Sequence, residues 1–327
     1  MELKKKSAKR LVLPLIGVIT FLLCKSKMDS VLYHDKYVIK DCVNESSFQV
    51  ETKNKSHEDL KTSRNLTNIR DLPSTGQMTS LWPDDPECKR FMVGFSSGLP
   101  LVWLASFPRS GNSWTRYLIE AATGVYTNSA YNDPVMVKVG YVGEAEKAGT
   151  GRCMVTKTHR LWEQGEDHHV RTILLIRNPA KCTISHWHYH KAPGGNDFFI
   201  TLDNSTYNSQ AFRIWVKSNI ENWRKVTEDR LLWSRKLLVV IYEELRQDPI
   251  TQMHRILDFL GLQDDPSRMA CLAKHLDGRV KGGQREIDPY TLEEKSAFKT
   301  AIEAVTWLAH FRNVTLPDYV EQISTGR

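Results

Sequence analysis

The sequence predicts an α/β protein, a parallel sheet flanked by helices, and two observations carry that prediction. Short apolar runs at 101–106 (LVWLAS), 172–177 (TILLIR) and 237–242 (LLVVIY) recur along the chain, with helical spacing between them. Near-continuous apolar runs of this length mark strands buried on both faces, and intervening helices are the crossovers that parallel pairing requires. Composition agrees. With 41% hydrophobic and 25% charged residues the chain is globular in its proportions, which excludes a disordered or collagen-like chain and a polytopic membrane protein. The net charge of +7 suits a partner carrying phosphate, sulfate or carboxylate, and alone gives no support for nucleic acid.

The N-terminus reads as an address. Lys4, Lys5, Lys6, Lys9 and Arg10 precede an uncharged apolar run at 11–24, and Lys25 and Lys27 close it. As a helix that run spans about 21 Å, short for a bilayer core of roughly 30 Å. The length also fits the apolar part of a cleaved signal peptide, but no small-x-small cleavage pattern follows. Flanking lysines that snorkel favour an uncleaved signal anchor with its N-terminus in the cytosol. The expected organisation is a cytosolic tail at 1–10, an anchor helix at 11–24, a lumenal stem at 25–97 and the α/β domain at 98–327. N-x-S/T sequons at Asn44, Asn54, Asn65, Asn204 and Asn313 agree with entry into the secretory lumen.

After the strand at 101–106 a helix is expected over 113–123, a second strand at 153–157 and a third at 172–177. Another helix starts at Pro179, where a first-turn proline is tolerated. Phe212, Trp215, Val216, Trp223 and Val226 have the spacing of a core-facing helical stripe. The fourth strand covers 237–242, and Asp248-Pro249 opens a helix carrying Ile250, Met253, Ile256, Leu257 and Leu260. Thr291 with Glu294 forms a capping box for a last helix running to about His310. The six cysteines, at 24, 42, 88, 153, 182 and 271, include no C-x-x-C pair, and their spacing assigns no disulfide.

The segment from Ser106 to Trp114 (SFPRSGNSW) lies between the first strand and its helix. Its physics is P-loop-type: backbone N–H groups and a helix N-terminus aimed at an anion. Gly111 lets the backbone approach closely, Arg109 adds a permanent charge with a bidentate fork, and Ser110, Asn112 and Ser113 offer further donors. Trp114 can stack on a purine. No Lys follows the glycine, so this is not the G-x-x-x-x-G-K-[ST] loop of nucleotide kinases, and a terminal phosphate held without a metal is expected.

This loop resembles the 5′-phosphosulfate loop of sulfotransferases, with Arg109 where that loop commonly carries Lys. Arg177-Asn178-Pro179 followed by Ser185 is similar to that family's 3′-phosphate motif. Lys157-Thr158-His159 resembles its K-T-H segment, and Ile241 to Glu244 its Y-E segment, whose Tyr242 would lie near the adenine. Arg279 to Gly283 is similar to the loop that closes on the 3′-phosphate, which would add Lys281 and Gly282. The resemblance covers about 100–310 and lies nearest the WSC-domain-containing sulfotransferases, described as sialate O-sulfotransferases, although no Cys-rich WSC module is present here.

It implies a sulfotransferase fold and transfer of a sulfuryl group from 3′-phosphoadenosine-5′-phosphosulfate (PAPS) to a carbohydrate hydroxyl, with sialic acid on glycoconjugates as the candidate acceptor. It implies a Golgi membrane location of single-pass type II topology, with neither metal nor nucleic acid involved. His159 is then the general base, with Lys157 and Arg109 neutralising charge on the transferring group. Glu163, Glu166, Asp167 and His168 lie just downstream of His159, so a carboxylate there is the fallback base. His186, His188 and His190 read as packing residues rather than metal ligands. The competing readings are a P-loop nucleotide kinase and an inactive glycan-binding relative.

Overall fold

Strands with no polar face need cover on both sides, and the chain supplies it. The computed structural model describes residues 66–192, 202–279 and 287–325. In chain order it holds β1 (Thr67–Asn68), β2 (Thr75–Ser80), β3 (Met92–Phe95), β4 (Val102–Ser106), α1 (Asn112–Thr123), β5 (Asn128–Ser129), α2 (Pro134–Lys138), β6 (Thr156–Thr158) and β7 (Arg171–Ile176). Then come α3 (Pro179–Lys191), α4 (Gln210–Trp233), β8 (Leu237–Ile241), α5 (Tyr242–Gln247), α6 (Pro249–Leu260), β9 (Leu262–Gln263), α7 (Pro266–Lys274), α8 (Leu292–Phe311) and α9 (Tyr319–Thr325).

The main sheet is five-stranded, ordered β5-β6-β4-β7-β8, and every pairing in it is parallel. Alternate side chains enter opposite layers, as the strand period of two requires. Leu104, Ile173, Leu175 and Val240 pack with Leu118 of α1, Ile256 of α6 and Leu272 of α7. Ala105, Leu174, Ile176 and Val239 pack with Trp187 of α3, Phe212 and Trp223 of α4, and Val305 of α8. Each fully buried aliphatic side chain of this kind contributes about 1.5–3 kcal/mol. The helix starts are local: Asn178 accepts from the Ala180 and Lys181 amides, Asp248 from that of Thr251, and Thr291 with Glu294 closes the capping box.

Three expectations shift. The second strand sits at 156–158 instead of 153–157, because it pairs with β4 only from Trp103↔Thr156 onward. Tyr242 leaves the fourth strand and begins α5. Residues 66–97, expected in the stem, are folded onto the domain: β1 pairs with β9, β2 with β3, and Trp82 and Cys88 are buried in the first core layer. Cys88 is bonded to Cys271 of α7 across 183 residues of sequence, while Cys153 and Cys182 are free and buried. The tail at 1–10, the anchor run at 11–24 and the stem as far as residue 65 lie outside the described residues. Among the described residues no helix is long and apolar enough to cross a membrane.

Chain order sets where a ligand can sit. From β4 the chain moves outward to β5 and β6 on one side, then crosses to β7 and β8 on the other. That reversal at β4 opens a crevice at the carboxyl ends of the strands, the general ligand position in open α/β sheets. His159, the 107–111 turn, Arg177 and Tyr242 all follow directly from carboxyl ends of β6, β4, β7 and β8.

Candidate active site

The turn after β4 is shaped by two left-handed residues, Arg109 at φ 65° and Gly111 at φ 92°. Only glycine fits the second position. A Cβ there would lie 2.5 Å from two ring carbons of Tyr242, besides the unfavourable φ. Gly111 starts α1 with no side-chain cap, and no acidic residue stands in the first turn. The leading N–H groups of this 12-residue helix therefore face the crevice with their positive dipole end, an anion cradle.

Asn112 does not join the donors. Its Nδ2 donates to the Leu104 carbonyl at 3.0 Å and to Ser106 Oγ at 3.1 Å, so the side chain ties α1 back to β4. Ser110 is fully buried, with its hydroxyl 3.4 Å from Cys182 Sγ, and the Ser113 carbonyl accepts from Tyr141 at 2.6 Å. The polar side chains of Ser110 and Asn112 are thus turned to partners within the protein, which leaves the backbone N–H groups as the donors facing the crevice. Trp114 donates its indole N–H to the Leu276 carbonyl at 2.6 Å and meets Tyr242 edge-on, so the ring is seated under the 275–279 segment.

Two guanidinium groups converge on the cradle. Arg177 Nη1 donates to the Arg109 carbonyl at 2.8 Å, and its charge lies 4.4 Å from the centre of the Tyr242 ring. Arg177 Nε is buried without a hydrogen-bond partner among the described residues. Arg109 Nε donates to Ser185 Oγ at 3.1 Å, and its guanidinium stands 5.1 Å from the Tyr189 ring. The corner after β4 and the corner after β7 thus form one cleft. Burial first, and Arg177 next, hold the Arg109 pKa below the ordinary arginine range.

His159 lies at the other end of the loop. Its Nδ1 is 2.7 Å from the Ser106 carbonyl. A carbonyl oxygen only accepts, so Nδ1 carries the proton and Nε2 presents the lone pair. Tyr131 stacks on the imidazole with ring centres 5.6 Å apart, and its hydroxyl accepts the His159 backbone N–H at 2.6 Å. Burial and the neighbouring Lys157 push the His159 pKa down to about 3. Lys157 itself is pushed down to about 8, by burial first and by Arg116 next, with Glu144 and Asp133 opposing. Arg109, Lys157 and His159 are depressed for one leading reason, burial away from water, and in each case a neighbouring basic group adds to it.

Behind the cleft, Glu243 accepts from the Asn178 backbone at 3.1 Å and from Tyr319 at 2.7 Å, fixing the Arg177-Asn178-Pro179 corner. Arg116 and Glu144 pair at 2.5 Å with both side chains fully buried. Arg279 pairs with Glu120 at 3.1 Å, and Lys281 and Gly282 lie outside the described residues. The fallback carboxylates close a local turn: Glu166 accepts from the Glu163 backbone and Asp167 from that of His169. His186 bonds Asn219, His188 bonds Tyr207 and His190 stacks on Trp215, each a packing partner. Asp85, Cys88 and His275 cluster at metal-ligand distances, but the Cys88 sulfur is committed to its disulfide.

Tyr131, Tyr189, Glu243 and Tyr319 were not legible as site residues. Only Glu243 had a sequence signal, its place beside Tyr242.

The family model described as sulfotransferase domain matches residues 99–314, and the chain belongs to the sulfotransferase family. It is 30% identical over 217 residues to a WSCD family member of Aedes aegypti, covering 64% of each chain. It is 31% identical over 200 residues to a WSCD family member of Drosophila melanogaster, covering 58% of this chain and 60% of that one. It is also 23% identical over 188 residues to sulfotransferase 6B1 of Mus musculus, covering 54% and 59%. The chain thus spans roughly three fifths of the length of the curated relatives it matches. Among solved structures it is similar to mouse sulfotransferase SULT7A1 complexed with PAP, with a TM-score of 0.46 at 16% identity over 67% of this chain and 90% of that one. It is also similar to retinol dehydratase in a complex with retinol and PAP, with a TM-score of 0.42 at 14% identity over 75% and 100%.

Proposed function

We propose that the protein transfers a sulfuryl group from PAPS to a hydroxyl of a carbohydrate acceptor. The observation that carries this reading is the uncapped start of α1, flanked in one cleft by Arg109 and Arg177. Such a site is built for an anion with two phosphate ends. In this reading the 111–114 amides and Arg109 hold the 5′-phosphosulfate. Arg177 and Ser185 hold the 3′-phosphate and so separate PAPS from ATP. Tyr242 and Trp114 flank the adenine, and Lys281 with Gly282 closes over the nucleotide.

The acceptor hydroxyl attacks sulfur, the bond from sulfur to the 5′-phosphate oxygen breaks, and the hydroxyl proton passes to His159 Nε2. Its tautomer is already correct. Lys157 and Arg109 stabilise the charge that grows on the sulfonate and departing oxygen. The donor's negative charge raises the depressed pKa values of Lys157 and His159, so binding the donor strengthens both the cation and the base.

On the acceptor side, Tyr131 is 38% exposed, with the Arg160 guanidinium 5.4 Å from its ring centre. An aromatic platform beside a cation suits a sugar bearing a carboxylate, and sialic acid on glycoconjugates is the acceptor we favour. The Cys88–Cys271 bond supports an oxidising compartment. With the apolar run at 11–24 it favours a Golgi-type lumenal enzyme anchored as a single-pass type II protein. Labelled PAPS incubated with matched sialylated and desialylated glycans tests this. Label should enter only the sialylated set, and no incorporation into any glycan would overturn the reading.

A further inference from the structure

Helix α8 turns its inner face to the second core layer through Phe298, Ile302, Val305 and Ala309. Its outer face ends in two rings that water should not favour. Trp307 is 53% exposed and Phe311 66% exposed, one helical turn apart, meeting edge to face at 4.5 Å. The turn that follows is firmly built. Arg312 donates to the carbonyls of Leu231, Leu232 and Ser234. The amides of Asn313 and Val314 close on His310 and Ala309 at 3.0 Å. Asn313 takes φ 54°, and both Asn313 and Thr315 are exposed. Phe311, Asn313 and Val314 line a single groove of about 290 Å³ with Leu237 and Val239.

We propose that Asn313 is an N-glycosylation site and that its first sugar residue seats on Phe311, covering the exposed aromatic pair. The sequence Asn313-Val314-Thr315 supplies the acceptor amide and the hydroxyl two residues on. The carboxamide nitrogen forms a bond to the anomeric carbon of a lipid-pyrophosphate-linked oligosaccharide. The anomeric C–O bond breaks, the pyrophosphate leaves with the electron pair, and the amide proton passes to a base of the transferase. Once the chain folds, the left-handed turn holds the Asn313 amide and the Phe311 ring on one groove, so the sugar's C–H face removes apolar area from water. Asn204, the other described sequon, is exposed, but two residues before it stands half-buried Leu202 and not an open ring. Its Thr206 hydroxyl accepts from the Trp187 indole at 3.3 Å.

This inference rests on the lumenal placement proposed above, and one experiment separates the two. The full chain is expressed in insect cells and its glycopeptides are mapped site by site. Thermal unfolding is then followed before and after enzymatic removal of the glycans. Asn313 should be occupied in most molecules, and deglycosylation should lower Tm by about 2 °C or more. In a Phe311→Ala chain the same treatment should leave Tm unchanged, and Asn313→Gln should remove one glycan without loss of the fold. Occupied sequons elsewhere with Asn313 bare would overturn the site and leave lumenal placement standing. No occupied sequon anywhere would overturn both. An occupied Asn313 whose removal shifts Tm equally in wild type and Phe311→Ala would overturn the seating.

Discussion

Arg109 Nε donates to Ser185 Oγ at 3.1 Å, although 76 residues of chain separate them. That bond makes the turn after β4 and the helix after β7 two walls of one cationic cleft. Arg177 completes it by donating to the Arg109 carbonyl. In the proposed reading these two corners hold the two ends of a 3′,5′-bisphosphorylated adenosine.

Removing Arg177 tests the 3′-phosphate assignment. Arg177→Ala should weaken 3′-phosphoadenosine 5′-phosphate binding about 10- to 100-fold, since a hydrogen bond to a charged group contributes about 1.5–3 kcal/mol. AMP binding should change little. Calorimetric titration of both nucleotides checks this, and equal losses for both would assign Arg177 to the fold and not to the 3′ end.

His159→Ala should lower kcat by about 100- to 10,000-fold while nucleotide affinity stays within a few-fold. Single-turnover transfer and nucleotide titration on the same preparation separate the two effects. Transfer at the wild-type rate would exclude His159 as the base.

The pH dependence follows from Lys157. Unliganded, it releases its proton near pH 8, against 10.5 when solvated, so stability rises with pH between those values. Nucleotide binding raises that pKa. Affinity should therefore be highest below pH 8 and fall above it, with up to about half a proton taken up on binding at pH 8. Calorimetry in buffers of different ionisation enthalpy reads the uptake, and Lys157→Met should abolish it. On the acid side, His159 takes its proton near 3 instead of 6.5, so stability falls as pH drops through that window.

Gly111→Ala should cost roughly 1–2 kcal/mol from the left-handed backbone alone, and more from the clash with Tyr242. Donor KM should rise with it. Combining it with Tyr242→Ala should recover part of the stability, the clash, but not the backbone strain. Denaturant unfolding of the three chains measures the difference.

Cys88→Ser should lower stability by about 2–4 kcal/mol, and adding Cys271→Ser should cost almost nothing further, because the two share one bond. Urea unfolding with and without reductant checks both statements.

What could be read in advance was local. The loop from Ser106 to Trp114, the Arg177-Asn178-Pro179 corner, Lys157 and His159 are each one strand end and the few residues after it. Apolar strands and helix caps place such residues without help from distant chain. The alternation of strand and helix likewise fixed the parallel sheet and its carboxyl edge. Side-chain direction was harder. Asn112 looked like a donor to the ligand, yet its amide turns inward because the buried Leu104 carbonyl and Ser106 hydroxyl offer it better partners.

By itself the sequence determined the sheet, the glycine-bearing turn after β4 and the chemical types gathered around it, because turn geometry and strand burial act over a few residues. Only the tertiary structure decided that Tyr131 holds His159, that Glu243 and Tyr319 brace the Arg177 corner, and that Cys88 pairs with Cys271. Those contacts join residues 28, 76 and 183 positions apart. Their partners are chosen by how crossovers stack helices on the sheet, and no local spacing records that.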